Sequence, residues 1–406
     1  MSRRVIVVGG GPAGVAAAIA ARRTAADAEV VLLSAEALKP YEKPPLSKAV
    51  LTENLDPSAT PIVPDDLLAG IDLRLGVRVA GIDRAGRRVD CGAGGWLTYD
   101  ALVLATGAGA RTLPGLPATL PGVHYLRDAA DALRLRDALG QARSVAVVGA
   151  GLIGLEVAAA AAVGGAAVTV LEAAATAMAR VCAPSLAQRI VERHVRAGVM
   201  FRWGAAVRGV KAVADKLALS LGDGETLSAD LVVVGIGIQP DTALAEATGL
   251  AVARGIVVDA TCRSADSAIF AAGDVARFRT LWCDGPVALE NWRHALDQGE
   301  AAGINAAGGD ATYAAVPSFW SDQYEVRLQG VGWADGLETP AVRRALAKDG
   351  AIEFHLRDGQ VRYAVGIGAS REIAIAKRLI ERRIAVQAEA LADPGVALAG
   401  LLRASA

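Results

Sequence analysis

The chain has 406 residues, enough for two or three domains, with 53% apolar residues and 45 glycines. Its formal net charge of −1 excludes a general electrostatic pull toward nucleic acid or anionic membrane. Cys91, Cys182, Cys262 and Cys283 form no C-x-x-C or C-x4-C pair, and the histidines show no ligand spacing. A redox dithiol and a metal centre are therefore not expected.

Reading in chain order, the N-terminus runs straight into a strand, with neither a signal peptide nor a transit segment. The apolar run Leu155–Leu171 is short and broken by Glu156, Gly164 and Gly165, so no membrane span is expected, and a cytoplasmic protein is the default. Val5–Val8 reads as a buried strand. Gly9, Gly11 and Gly14 follow in G-x-G-x-x-G spacing, and an Ala-rich helix continues through Val15–Arg23. Glycine permits the tight turn and the close approach of backbone to a pyrophosphate, while the helix start supplies N–H groups and a positive dipole end. Glu36 lies just past the strand Glu29–Ser34, at the spacing where a ribose hydroxyl is held.

Tyr41–Lys48 is a loop stiffened by Pro44 and Pro45, which hold Lys48 at a defined place before a helix that continues through Ala49 and Val50. Asp72–Ile82 and Arg87–Cys91 read as strands of a small sheet, and Trp96–Tyr99 completes a meander. Ala101–Ala105 is a continuous apolar strand ending at Thr106 and Gly107, where the chain passes to the next domain. Leu133–Leu139 reads as a short helix.

The strand–glycine–helix grammar then recurs. Ser144–Val148 precedes Gly149, Gly151 and Gly154, and helix Leu155–Gly164 leads to strand Ala167–Leu171. Two such sites in one chain point to two dinucleotides. Glu172 closes the second unit 18 residues after Gly154, where a carboxylate accepts from adenosine ribose hydroxyls and repels a 2′-phosphate. No arginine adjoins it, so NADH is expected rather than NADPH. Arg180, a few residues on, is placed to reach the adenosine half or to sit as an exposed charge.

Asp230–Gly235 reads as a buried strand returning to the first sheet, and Gly237–Pro240 ends the second domain. Ala268–Ala272 is a further strand, with Asp274 at its end either holding a sugar-alcohol chain or capping the next segment. Glu290–Gly303 reads as a helix starting near Asn291 or Trp292, with its positive end available to an acceptor that becomes anionic. From Thr312 the chain changes character. Strands are expected at Tyr324–Gly332, Ile352–Arg357 and Gln360–Gly368, then an amphipathic helix at Arg371–Arg383. Its Ile373, Ile375, Leu379, Ile380 and Ile384 fit a buried face. Arg371, Lys377, Arg378, Arg382 and Arg383 lie mainly on the other side, as a solvated face or a docking surface for an acidic partner.

The ordered set GGGPAG (residue 9), PPLSK (44), ATG (105), GAGLIGLE (149), GIGIQP (235), FAAGD (270) and PSFWSDQ (317) resembles the single-flavin NADH:ferredoxin reductases of bacterial oxygenase systems. That family includes the reductase components of aromatic-ring dioxygenases and the putidaredoxin-reductase type. The resemblance covers nearly the whole chain. It implies an α/β fold with two Rossmann-like, glutathione-reductase-like dinucleotide-binding domains and a C-terminal α+β domain. The expected boundaries are residues 1–109 with 236–311 for FAD, 110–235 for NADH, and 312–406 for an interface domain.

The resemblance further implies FAD against Gly9, Gly11, Ala13, Gly14 and Glu36. Val79, Ala105, Thr106, Gly107, Arg127, Gly237, Asp274, Glu290 and Trp292 match other cofactor contacts. Gly149, Gly151, Ile153, Gly154, Glu156, Glu172 and Arg180 match positions near NADH. Lys48 matches a lysine beside the flavin that pairs with Glu156, and Trp320 matches an aromatic near the flavin. Lys43, Asp128 and Arg293–His294 depart from the family's usual residues.

The implied activity takes hydride from NADH onto FAD and passes single electrons to an iron–sulfur ferredoxin of the two-iron type, which feeds a terminal oxygenase. The implied protein is a monomer or weak homodimer. A rubredoxin reductase, or an NADH-responsive flavoprotein sensor like apoptosis-inducing factor, fits the same motifs.

Overall fold

A computed structural model describes residues 2–333 and 342–403. Residues 334–341 and 404–406 of the expected C-terminal domain lie outside the described residues. The chain divides into two compact units. The first comprises residues 1–42, 56–109 and 238–317, and the second residues 43–55, 110–237 and 318–406. The loop carrying Lys48 and the C-terminal module, which the sequence set apart as a third domain, both group with the second unit.

The first unit is built on a five-stranded parallel sheet, in the order Ile269–Ala271, Ala101–Leu104, Arg4–Val8, Glu29–Leu33, Ile71–Arg74. Val5, Ile6 and Val7 at its centre are fully buried, as an unbroken apolar run in a doubly covered parallel strand must be. Helix Pro12–Thr24 lies against helix Trp292–Ala306, with no room between them. A Cβ on Gly299 would run into the Ala13 backbone, and one on Gly303 into the Ala17 backbone. The Ala-rich composition of the first helix and the two glycines of the second are thus the condition for this approach, which fixes the helix start that follows Gly11.

The second unit repeats the plan in the order Met200–Trp203, Ala167–Glu172, Ser144–Val148, Leu231–Val234, Val123–Tyr125, all parallel. Its core holds Val145, Val147, Leu155, Val157, Val170 and Ile190. The same unit carries an antiparallel sheet in the order Ser318–Gln323, Val326–Gly332, Gln360–Ile367, Ala351–Arg357, Val342–Ala345. Helix Ser370–Glu381 buries Ile373, Ile375, Leu379 and Ile380 and leaves Arg371 and Arg378 exposed, as its sequence predicts. Among the described residues no helix is long and apolar enough to cross a membrane.

Two expectations need correction. Leu231–Val234 does not return to the first sheet; it sits between Ser144–Val148 and Val123–Tyr125 in the second. A continuous apolar run marks a central parallel strand but carries no label for its sheet. Ile71–Arg74 is the edge strand of the first parallel sheet rather than part of the meander, which is limited to Gly81–Asp83, Arg88–Asp90 and Trp96–Thr98. None of its four residues is fully buried, as suits an edge strand, and a short mixed polar–apolar run in sequence looks the same in either setting.

Candidate functional site

The first glycine turn is a cradle shaped by what a side chain would hit. Gly9 has φ +120°, and a Cβ there would overlap the Ala105 carbonyl, while a Cβ on Gly14 would overlap the Gly9 carbonyl. Gly11 is different: a Cβ there meets nothing within 4 Å. It is the extended N-cap of helix Pro12–Thr24, and no side chain caps that helix. Open space therefore faces the uncapped amides of the helix's first turn, which is the geometry a pyrophosphate fits. Ala13 is buried beside it.

Glu36 stands beyond strand Glu29–Leu33, and its carboxylate accepts a hydrogen bond from the Tyr41 hydroxyl. Val79 and Ala105 are buried in the same unit. Thr106 Oγ1 donates to the Asp241 carbonyl at 2.7 Å, and Gly107 turns the chain at φ +70°. Asp274 lies in the short 3-10 turn Gly273–Val275, and Glu290 is exposed ahead of Asn291, whose Oδ1 accepts from the His294 N–H at 2.8 Å and starts the helix at Trp292. These residues fit FAD.

The second turn repeats the first in the other unit. Gly149 has φ +105° with no space for a Cβ before the Gly235 carbonyl, and a Cβ on Gly154 would overlap the Gly149 carbonyl. Gly151 is again an N-cap without a side-chain cap. Ile153 follows with 46% of its surface exposed at the helix start, a placement that suits a flat ligand ring better than a core. Glu172 accepts from the Ala150 N–H at 2.7 Å and from the Ala174 N–H at 2.8 Å. Each bond uses one lone pair per oxygen and leaves the other for a ribose hydroxyl. Arg180 is exposed with its guanidinium near Gly237, which has φ +107° and leaves room for it. Arg127, grouped by the resemblance with flavin contacts, lies in this second unit, and its N–H donates to Asp131 at 3.0 Å. These residues fit a second, nicotinamide dinucleotide.

A third feature is a buried polar chain within the second unit. Glu156 is the one ionisable residue in helix Leu152–Val163 and is only 3% exposed. Its Oε2 accepts from Lys48 Nζ at 2.7 Å and from the Ser47 hydroxyl. Its Oε1 accepts from Ser321 Oγ at 2.6 Å. Ser321 in turn accepts from Gln323 Nε2 at 3.1 Å, and Gln323 Oε1 faces His194 Nε2 at 2.9 Å. On strand Ser318–Gln323 the pleat sends Ser321 and Gln323 to the buried face, while Trp320 stands half-buried on the alternate side.

The structure thus joins Lys48 to Glu156 as the resemblance implied. It adds Ser47, Ser321, Gln323 and His194, which sequence reasoning missed. The signal for the first three lay inside PPLSK and PSFWSDQ; His194 had only its place on the apolar face of a helix.

Burial pushes the Cys182 and Cys262 thiols up to about 12, the reverse of an activated thiolate. Among the described residues no cluster of potential metal ligands occurs.

Over residues 3–299 the sequence matches the family described as pyridine nucleotide-disulphide oxidoreductase, and over residues 318–402 the family described as Reductase C-terminal. It is 40% identical over 397 residues to the ferredoxin–NAD(+) reductase component of an anthranilate 1,2-dioxygenase system from Burkholderia cepacia, covering 97% of this chain and 98% of that one. It is 36% identical to rhodocoxin reductase from Rhodococcus erythropolis, covering 96% and 92%. The reductase in a covalent putidaredoxin reductase–putidaredoxin complex superposes with TM-score 0.93 at 34% identity over 99% of both chains. A ferredoxin reductase of the CYP199A2 system from Rhodopseudomonas palustris does so with TM-score 0.93 at 33% identity, over 98% of this chain and 99% of that one.

Proposed function

Since the chain belongs to the pyridine nucleotide-disulphide oxidoreductases and carries the Reductase C-terminal module, we propose that it is the NADH-dependent, FAD-containing reductase of an oxygenase system, with a two-iron ferredoxin as its acceptor. The observation that carries this reading is the pair of open, uncapped glycine turns, one per unit, with Glu172 closing the second. FAD, when bound, accepts two electrons together from NADH and gives them up singly. The protein's work is to bind, orient and supply charge.

Gly9, Gly11 and Gly14 receive the FAD pyrophosphate on helix amides, and Glu36, held by Tyr41, takes the ribose. Gly149, Gly151 and Gly154 do the same for NADH, with Glu172 rejecting a 2′-phosphate. Ile153 offers an apolar surface and Arg180 a cation to the adenosine half. Lys48 supplies a positive charge whose position is set by the Glu156 carboxylate and the Pro44 carbonyl, to both of which its ammonium donates. Trp320, half-buried on the strand whose other face carries Ser321 and Gln323, would offer its ring to the cofactor.

The test is anaerobic reduction of the purified holoprotein by NADH and by NADPH, followed at the flavin's visible absorbance. Fast bleaching by NADH and slow bleaching by NADPH is expected. Equal or faster bleaching by NADPH overturns the role given to Glu172.

A further inference from the structure

The bonds around Glu156 have a direction. A carboxylate oxygen only accepts, so Ser321 must give its single hydroxyl proton to Glu156 Oε1. Ser321 then offers only lone pairs, and Gln323 meets it with its amide N–H. The Gln323 amide oxygen therefore points at His194 Nε2, and that nitrogen must carry the proton. The other ring nitrogen, Nδ1, is left as an acceptor, and the Tyr324 hydroxyl lies 3.3 Å from it. Every donor from Tyr324 onward points toward Glu156. His194, Gln323 and Ser321 are each 2% exposed or less, and burial pushes the His194 imidazole pKa down, as a neutral ring requires.

Two further facts argue against mere filling of space. Polar groups buried this deeply can often be exchanged for apolar ones of equal volume with little loss of stability, so stability alone does not account for this chain. Tyr324, where the chain begins, has φ +55°, a conformation that disfavours a bulky residue. It is held there by Arg193, whose guanidinium stacks 3.9 Å from its ring while pairing with Glu325 at 2.6 Å. The chain is not a proton conduit, because an amide does not pass a proton on without becoming an imidic acid.

We infer that His194 and Gln323 are positioning residues for the Glu156–Lys48 pair, acting through Ser321: they lock one Glu156 rotamer, and that rotamer, together with the Pro44 carbonyl 3.2 Å from Lys48 Nζ, fixes where the ammonium stands. The inference rests on the proposed role of Lys48 beside the flavin.

The experiment uses FAD-loaded His194→Leu, Gln323→Leu, Gln323→Glu, His194→Gln and Lys48→Met. It reads the limiting rate of anaerobic flavin reduction at saturating NADH, the NADH affinity and the flavin potential. Loss of the chain should lower the limiting rate roughly tenfold in both leucine variants and shift the potential, with NADH affinity within about twofold of the parent. Gln323→Glu places a second carboxylate beside Ser321 and should be at least as slow. His194→Gln puts an amide N–H where imidazole Nε2 stood and should recover the rate to within about threefold. Parental rates in Gln323→Leu and Gln323→Glu, or a His194→Gln as slow as Gln323→Leu, overturn the inference even if His194→Leu does not fold. If Lys48→Met is slow while the chain variants are fast, only the positioning role falls. A Lys48→Met at the parental rate takes the catalytic reading of the pair down with it.

Discussion

Lys48 Nζ stands 2.7 Å from Glu156 Oε2, two residues separated by 108 positions in sequence. The contact ties the proline-braced loop to the one acid in an otherwise apolar helix. The Glu156 side chain is 2% exposed and that of Lys48 23%, so removing one partner strands the other where water reaches it poorly. Breaking such a pair costs about 3–5 kcal/mol when the charge left behind is fully buried, as Glu156 is once Lys48 is removed, and less when the charge left behind is the partly wet Lys48.

The first prediction concerns that pair. Lys48→Met and Glu156→Gln should each slow flavin reduction by roughly tenfold to hundredfold. If they act as one unit, the double variant should be little worse than either single one, with a coupling of about 1–3 kcal/mol. Strictly additive losses would mean the two residues act separately.

The second concerns the glycines of the first turn, which look alike in sequence and differ in structure. Gly11→Ala places a methyl in open space and should leave the apoprotein's melting temperature unchanged while abolishing FAD retention. Gly9→Ala meets both a positive φ and the Ala105 carbonyl, and should destabilise the fold itself by several kcal/mol, on the order expected for strain plus overpacking. Calorimetry with flavin content separates the two outcomes; equal destabilisation by both would contradict the cradle.

Much of this architecture was legible before the structure. The two glycine turns were readable because only glycine survives the contacts described for Gly9 and Gly149. Glu36 and Glu172 were readable because a fixed strand and helix length sets their distance from the turn. The sheet membership of Ile71–Arg74 and Leu231–Val234 was not, since period and apolarity report burial and not neighbours. The chain from His194 to Glu156 was hidden for another reason. Its hydrogen bonds join residues 129 and 165 positions apart, and a buried histidine on an apolar helix face gives no sign of what it meets.

The third prediction concerns coenzyme choice. Glu172→Ala removes the proposed acceptor of ribose hydroxyls and leaves the Ala150 and Ala174 N–H groups without it. kcat/KM with NADH should fall roughly tenfold or more, at the 1.5–3 kcal/mol scale of charge-assisted bonds, while that with NADPH holds or rises. An unchanged NADH to NADPH ratio would remove Glu172 from recognition.

The fourth concerns acid stability. His294 is 2% exposed, packed against Phe278 and bonded through Nδ1 to the Tyr313 hydroxyl, and burial pushes its pKa down from 6.5 to about 3. The unfolded chain therefore binds a proton below about pH 6.5 that the folded one refuses. Stability is full above that value and falls as pH drops toward 3, by about 2 kcal/mol at pH 5. His294→Gln should flatten this part of the acid limb in melts at pH 7 and pH 5; a parental slope would assign the acid sensitivity elsewhere.

The fifth concerns the exposed arginines of helix Ser370–Glu381 and its end, Arg371, Arg378 and Arg382. If they meet an acidic ferredoxin, the rate of its reduction should fall as salt rises, and Arg378→Glu should weaken that dependence. A flat response to salt would leave the helix as a solvated face.

The most direct test of the account mixes the FAD-loaded protein anaerobically with NADH and an excess of two-iron ferredoxin and follows the flavin and iron–sulfur absorbances together. The account predicts rapid loss of flavin absorbance by NADH followed by stoichiometric reduction of two ferredoxins per NADH, as two electrons delivered singly require. Flavin that bleaches and stays bleached in the presence of oxidised ferredoxin would contradict it.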